Sequence, residues 1–438
     1  MLTFAKKILK NDYLNSSFWQ FLERVFNLLS TFFVSIYLIR YLGPEQYGTW
    51  AYAQSYVFLF LSLTTLGLQS IVVSELVKQE RSPEEIMGSA FAIMLIGSLV
   101  MLILCTSSSY LYQGANLSFW MIMLVVISNT FMSLNIISFY FQSIVKSKYT
   151  VIAKLVQDII DIGGKLLVIV YHLPLLTLGF VIMAETIIMA LTLMIIYQST
   201  SHRLKRWRVK YKTCFFLIKK SLPLAISGAL IGLYMRLDQV MLEYFKGVNA
   251  VGEYSAGVKL VEALYMLPTI LCANLLPFFV KKYRENKEEF ITSMKLIYSL
   301  MFYLPLLLAL LIMPFTHSIV HLLFGSKYFI AGTVLEIAIW SNIFVSLGVA
   351  SNLWIVATSK QRFSVHRTAM GLFINLGLNF YLIPRYGAIG AAMATLAAQF
   401  TVCYISLIAI RELRSNAKLM LESLYQFRNY NILKRVLT

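Results

Sequence analysis

Apolar runs long enough to make helices of about 20 residues, the length that crosses a bilayer, recur from one end of this chain to the other. No other feature narrows the fold so far. Of the 438 residues, 59% are hydrophobic and 13% are charged, with a mean hydropathy of +0.72. Soluble domains carry about 25% charged residues, so the runs are not the core of a soluble protein. A membrane β-barrel would instead show alternating segments of about ten residues. The chain is therefore expected to be an all-α integral membrane protein. Windowed hydropathy places twelve spans, the first near 16–39, the fifth near 150–171 and the last near 387–410.

Charge in the connecting segments sets the orientation. Of the 38 Lys and Arg, only Arg40, Lys246, Lys327 and Arg385 fall in segments on one side of the twelve-span arrangement. Six more lie in or at the ends of spans, and the remainder fall on the other side, which the positive-inside rule makes cytoplasmic. Both termini are then cytoplasmic, and the basic, short start of the chain leads into a retained first span, too long for a cleaved signal peptide. The net charge of +18 follows from topology and from anionic headgroups, and nucleic acid is not an expected partner. The richest basic stretch, Arg203 to Lys220, sits at the midpoint. It divides the chain into an N-terminal lobe (1–198, spans 1–6), a basic linker (199–220), a C-terminal lobe (221–410, spans 7–12) and a basic tail (411–438). Lobes with an even number of spans share orientation, as parallel repeats do. The Tyr47-Gly48 pair after span 1 is echoed by Val251-Gly252 after span 7.

Within the fifth run, Lys154, Asp158, Asp161 and Lys165 recur at helical spacings that place them on one face. Charge at membrane depth costs from about 2.5 to more than 10 kcal/mol, so this face is expected to turn inward. Its acids and bases are spaced to neutralise one another.

Three segments carry a resemblance. They are Arg40-Tyr-Leu-Gly-Pro-Glu-Gln-Tyr-Gly48, Val251-Gly-Glu-Tyr-Ser-Ala256 and Pro384-Arg-Tyr-Gly-Ala-Ile-Gly-Ala-Ala392. Together with the span count, they resemble the polysaccharide-export flippases, the O-antigen and capsule repeat-unit translocases (Wzx type) of the MATE-like superfamily. The resemblance implies two six-helix lobes around a central cavity that opens alternately to each side of a bacterial cytoplasmic membrane. It implies a polyprenyl-diphosphate-linked oligosaccharide as cargo, and polysaccharide-assembly proteins as partners beside membrane lipid. Gly48, Gly252 and Gly390 near span starts have a plainer reading, as small residues that let helices approach.

An anionic diphosphate asks for cations at depth. Arg24, Arg236, Lys259 and Lys154 are the candidate substrate-binding residues, and Arg24 and Arg236 lead because the resemblance puts the first helix of each lobe on the cavity. A guanidinium offers a planar fork to phosphate, an ammonium a point charge. Structural pairing is the competing reading, and Lys259 and Glu262 are spaced to pair. Asp158, Asp161, Lys165, Glu185, Asp238, Glu262 and Glu336 are candidates for charge pairing or for binding a coupling proton or sodium ion. Glu185 and Glu336 have no neighbouring cation in sequence.

The rivals are a cation-coupled drug or metabolite exporter of the same superfamily and, further off, a membrane polysaccharide polymerase. There is no GxxxxGK[ST], HExxH or GxSxG, and Gly163-Gly164-Lys165 lacks the rest of a P-loop. Cys105, Cys214, Cys272 and Cys403 form no metal spacing. A transporter without cofactor or metal is expected, not an enzyme.

Overall fold

The structure is a computed structural model that describes residues 12–200 and 204–425, with the side chains of 12–22, 24–26, 28–29 and 425 outside the description. Every regular element among the described residues is helical. Among the described residues, eight helices are long and apolar enough to cross a membrane, or nine if the bent pair Phe329–Ala338 and Ser341–Ala357 is one span. Physical reasons separate this number from the twelve hydropathy windows. Ser30–Lys78 is taken as a single stretch, although Gly43, with φ 71°, breaks it. The helices Ser147–Val170 and Arg362–Tyr386 carry the polar and charged residues that lower their hydropathy. Large side chains such as Leu111, Ile195 and Phe373 project outward at 67–84% exposure, a surface that only lipid covers without penalty.

The chain divides into two compact units. The first comprises 1–42 and 49–232 and the second 43–48 and 233–438. In chain order the first contains α1 (Asp12–Thr65), α2 (Leu68–Lys78), α3 (Pro83–Gln113), α4 (Leu117–Phe131), α5 (Ile136–Ser143), α6 (Ser147–Val170) and α7 (Leu176–Ser199). Its core gathers Leu68, Ile86, Met94, Ile137, Phe141 and Leu193. The basic linker is tied into this unit. Trp207 donates its indole N–H to the Tyr197 hydroxyl at 3.2 Å, and Arg208 N–H bonds the Glu84 carbonyl at 3.1 Å. A Cβ on Gly88 would meet the Arg208 backbone at 2.7 Å, so the linker lies flat on the start of α3. Two buried carboxylates hold its charges. Lys210 and Thr213 both bond Glu85, while Lys220 and Lys78 each reach Glu75 at 3.0 Å.

α8 (Tyr211–Lys246) begins in the first unit and ends in the second. The second unit continues with α9 (Val248–Glu285), α10 (Lys287–Ile312), α11 (Thr316–Phe324), α12 (Phe329–Ala338), α13 (Ser341–Ala357), α14 (Arg362–Tyr386) and α15 (Ala388–Phe400). The chain then widens into a π-helical turn, Thr401–Ile405, and closes with α16 (Arg414–Tyr425). Its core gathers Phe279, Phe290, Tyr298, Leu353, Trp354 and Leu407. The glycines behave as packing residues. A Cβ on Gly252 would lie 1.8 Å from the Pro44 carbonyl oxygen, and one on Gly48 would lie 1.8 Å from that of Val248. The two echoed glycines thus face each other, each removing the atom that would hold the other's backbone away. Gly390 abuts the Leu382 carbonyl in the same manner.

Tail helix α16 is not a loose surface segment. Asn416 is fully buried, accepts from the Tyr298 hydroxyl at 2.5 Å and donates to Ser351 at 2.8 Å. Lys295 and Glu422 add an ion pair of 2.8 Å.

Candidate functional site

In the first unit, the charged face of α6 meets α1 and α7. Lys154 approaches Glu23 at 3.8 Å, so its partner is on another helix and not at the i,i+4 position. Asp158 accepts instead from the Asn27 amide at 2.7 Å. Further along, Lys165 and Asp161 form the i,i+4 pair at 2.6 Å. Glu185 comes into hydrogen-bonding contact with both Asp161 and Gln157. The ladder is therefore half closed on itself and half closed across helices. Two carboxylates in contact repel unless a proton or a cation accompanies them. Arg24 lies outside the described side chains.

In the second unit the arrangement is different in kind. Arg236 and Glu262 approach at 3.9 Å, with 33% and 34% of their side chains exposed. Buried Asp238 accepts from the Tyr254 hydroxyl, from Thr395 at 3.4 Å and from the Gln239 N–H at 2.8 Å. Helical spacing already set Asp238 away from Arg236, and these donors explain what it serves. Lys259 is half-buried on α9 and engaged. Glu336 lies 3.9 Å from His317 Nε2, a partner on α11 that hydropathy gave no reason to single out.

Buried charges outside the sequence-predicted candidates include Arg367, Glu253, Glu75 and Glu85. Arg367 is 3% exposed inside α14. It donates to the Val402 carbonyl at 3.1 Å and to Asn352 at 3.3 Å. That carbonyl lies in the π-helical turn and also accepts from the Ser406 hydroxyl at 2.7 Å, so a backbone dipole substitutes for a carboxylate. A signal existed: Arg367, Gly371, Asn375 and Asn379 form one i,i+4 stripe, and all four are buried. Glu253 sits in the second motif and accepts from the Ala331 N–H at 2.8 Å, capping α12. Glu85 anchors the linker, as described above.

With this geometry in place, similarity to known proteins becomes informative. A model of polysaccharide biosynthesis proteins matches residues 13–282. The chain belongs to that family. The capsular polysaccharide biosynthesis protein CapF of Staphylococcus aureus is 24% identical over 412 residues, spanning 87% of this chain and 95% of that protein. A protein of Haloferax volcanii, named probable low-salt glycan biosynthesis flippase Agl15, is 23% identical over 402 residues, spanning 89% and 82%. Among solved structures, the lipid II flippase MurJ in an inward closed conformation superposes with a TM-score of 0.71 at 16% identity, covering 94% of this chain and 91% of that one. That likeness shows the fold, an all-helical one, in keeping with the long apolar helices of the described residues.

Proposed function

We propose that the protein moves polyprenyl-diphosphate-linked oligosaccharide repeat units from the inner to the outer leaflet of the cytoplasmic membrane, by alternating access of two six-span lobes (1–198 and 221–410). The termini are cytoplasmic in this reading, and the cargo passes to polysaccharide-assembly proteins outside. The observation that carries it is Arg236, a guanidinium at membrane depth that stays one-third exposed beside Glu262. A buried structural pair would be closed off, whereas this one is open to an anion that can displace the carboxylate. Membership of the polysaccharide biosynthesis family supports a glycan cargo over a drug. The Asp161–Glu185 contact supports a coupling proton or sodium ion in the first unit.

Deleting the gene tests this. Surface polysaccharide should disappear while polyprenyl-diphosphate-linked repeat units accumulate on the cytoplasmic side. Normal export with unpolymerised units outside would instead identify a polymerase. Intact polysaccharide with altered drug susceptibility would identify an exporter.

A further inference from the structure

The first unit contains a cavity of about 290 Å³ between α1, α2, α5, α6 and α7. Most of its lining is polar, unlike the mostly apolar sites that take drug-like molecules. Glu23 and Lys154 both line it and lie 3.8 Å apart, so the two formal charges cancel. That balance disfavours a diphosphate and favours an uncharged, hydroxyl-rich guest.

The remaining polar groups are poised for such a guest. Gln69 donates its amide to the Gln142 side-chain oxygen at 3.1 Å. The pair therefore presents a free acceptor from one amide and free donors from the other. The Asn135 side chain has no hydrogen-bond partner among the described residues and lines the same space. Ser138 and Thr150 line it too, and their hydroxyl oxygens are buried with no partner among the described residues. Their neighbours Thr130, Ser133 and Ser143 all fold their hydroxyls back onto a carbonyl of the preceding turn. That is the ordinary fate of a hydroxyl on an apolar helix. Phe139 supplies the one aromatic ring of the lining, a surface for the C–H face of a pyranose. At its size the cavity sits at the lower edge of the ~300–1,000 Å³ range of small-molecule sites, room for one sugar residue and not for a whole repeat unit.

We infer that this cavity is a sugar subsite, which takes one uncharged pyranose residue through the Gln69, Asn135 and Gln142 amides and the Phe139 ring. The inference rests on the glycan-transport reading above and adds a second contact, separate from the diphosphate. Lys154 then belongs to the sugar site through Glu23 and not to the phosphate.

Cysteine protection tests it on the full chain in lipid nanodiscs. Ser70→Cys is introduced beside Gln69 at the exposed rim, leaving every proposed sugar contact in place, in a Cys214→Ser background where the other three cysteines are buried. Maleimide labelling is timed with and without methyl glycosides of neutral hexoses and N-acetylhexosamines at saturating concentration, and with inorganic pyrophosphate. At least one glycoside should slow labelling by about fivefold, as occupancy of four-fifths of the sites requires, and pyrophosphate should not. Adding Asn135→Leu should abolish that protection and leave the labelling rate in buffer unchanged. Protection by no glycoside, equal protection by pyrophosphate, or protection indifferent to Asn135→Leu would overturn the subsite. The glycosides carry neither lipid nor diphosphate, so a failure here leaves the transport reading standing. Failure of that reading would appear instead as normal export after gene deletion.

Discussion

The two units handle intramembrane charge in opposite ways. Among the described residues of the first, Glu23, Asp158, Asp161 and Glu185 gather around Lys154 and Lys165, and the Asn27 amide bonds Asp158. In the second, Asp238 is sealed by hydroxyls, while Arg236 stays partly exposed and Arg367 is held by a carbonyl and an amide. A cluster of carboxylates suits a small cation, and a partly exposed guanidinium suits an oxyanion. The contrast teaches that helices of similar hydropathy can host different chemistry, decided by which charges are left open once packing is complete.

Variants at four positions would break or sharpen this contrast, beginning with the largest effect. Arg236→Ala should lower repeat-unit translocation about 30-fold, because a hydrogen bond to a charged group contributes about 1.5–3 kcal/mol. Arg236→Lys should recover part of it, and parental rates in an inserted Arg236→Ala protein would remove the second unit from phosphate binding. Glu185→Gln should cost about tenfold, within the 1–3 kcal/mol typical of coupling between sites. Its remaining transport should no longer respond to a proton or sodium gradient; an unchanged response would end the coupling role of the first unit.

Tyr254→Phe should leave transport measurable and weaken the fold. It strips one donor from buried Asp238, a loss of about 1–3 kcal/mol, seen as a fall of about 2–4 °C per kcal/mol in the unfolding midpoint. The smallest effect belongs to α16. The hydrogen bond from Lys295, its charge, and Lys418 nearby hold the Glu422 carboxyl below its ordinary value. A lowered acid contributes stability above its unfolded pKa and loses it as pH falls through the folded one. Docking of α16 should therefore loosen slightly only in acid, and Glu422→Gln should remove that dependence in a proteolysis assay across pH.

Much of this was legible in the chain. The apolar runs set the all-helical membrane class, and the spacing of Asp161 and Lys165 foretold their i,i+4 pair. Glycines 48, 252 and 390 were readable as packing residues because only a missing side chain permits such approaches. What escaped depended on contacts distant in sequence. Lys154 chose Glu23 because α1 brings a second carboxylate to it, which helical spacing cannot foresee. Arg367 is compensated by a carbonyl 35 positions away, which local spacing does not reveal. Glu75 and Glu85 gained meaning only when the linker folded onto them, and Asn416 only when the tail docked.

The division of labour is tested most directly by binding. Purified protein in nanodiscs would be titrated with polyprenyl diphosphate carrying no sugar, comparing parental protein with Arg236→Ala and Glu185→Gln. The account predicts that Arg236→Ala loses most of the affinity while Glu185→Gln keeps it. Equal affinity in all three, or loss confined to Glu185→Gln, would contradict it.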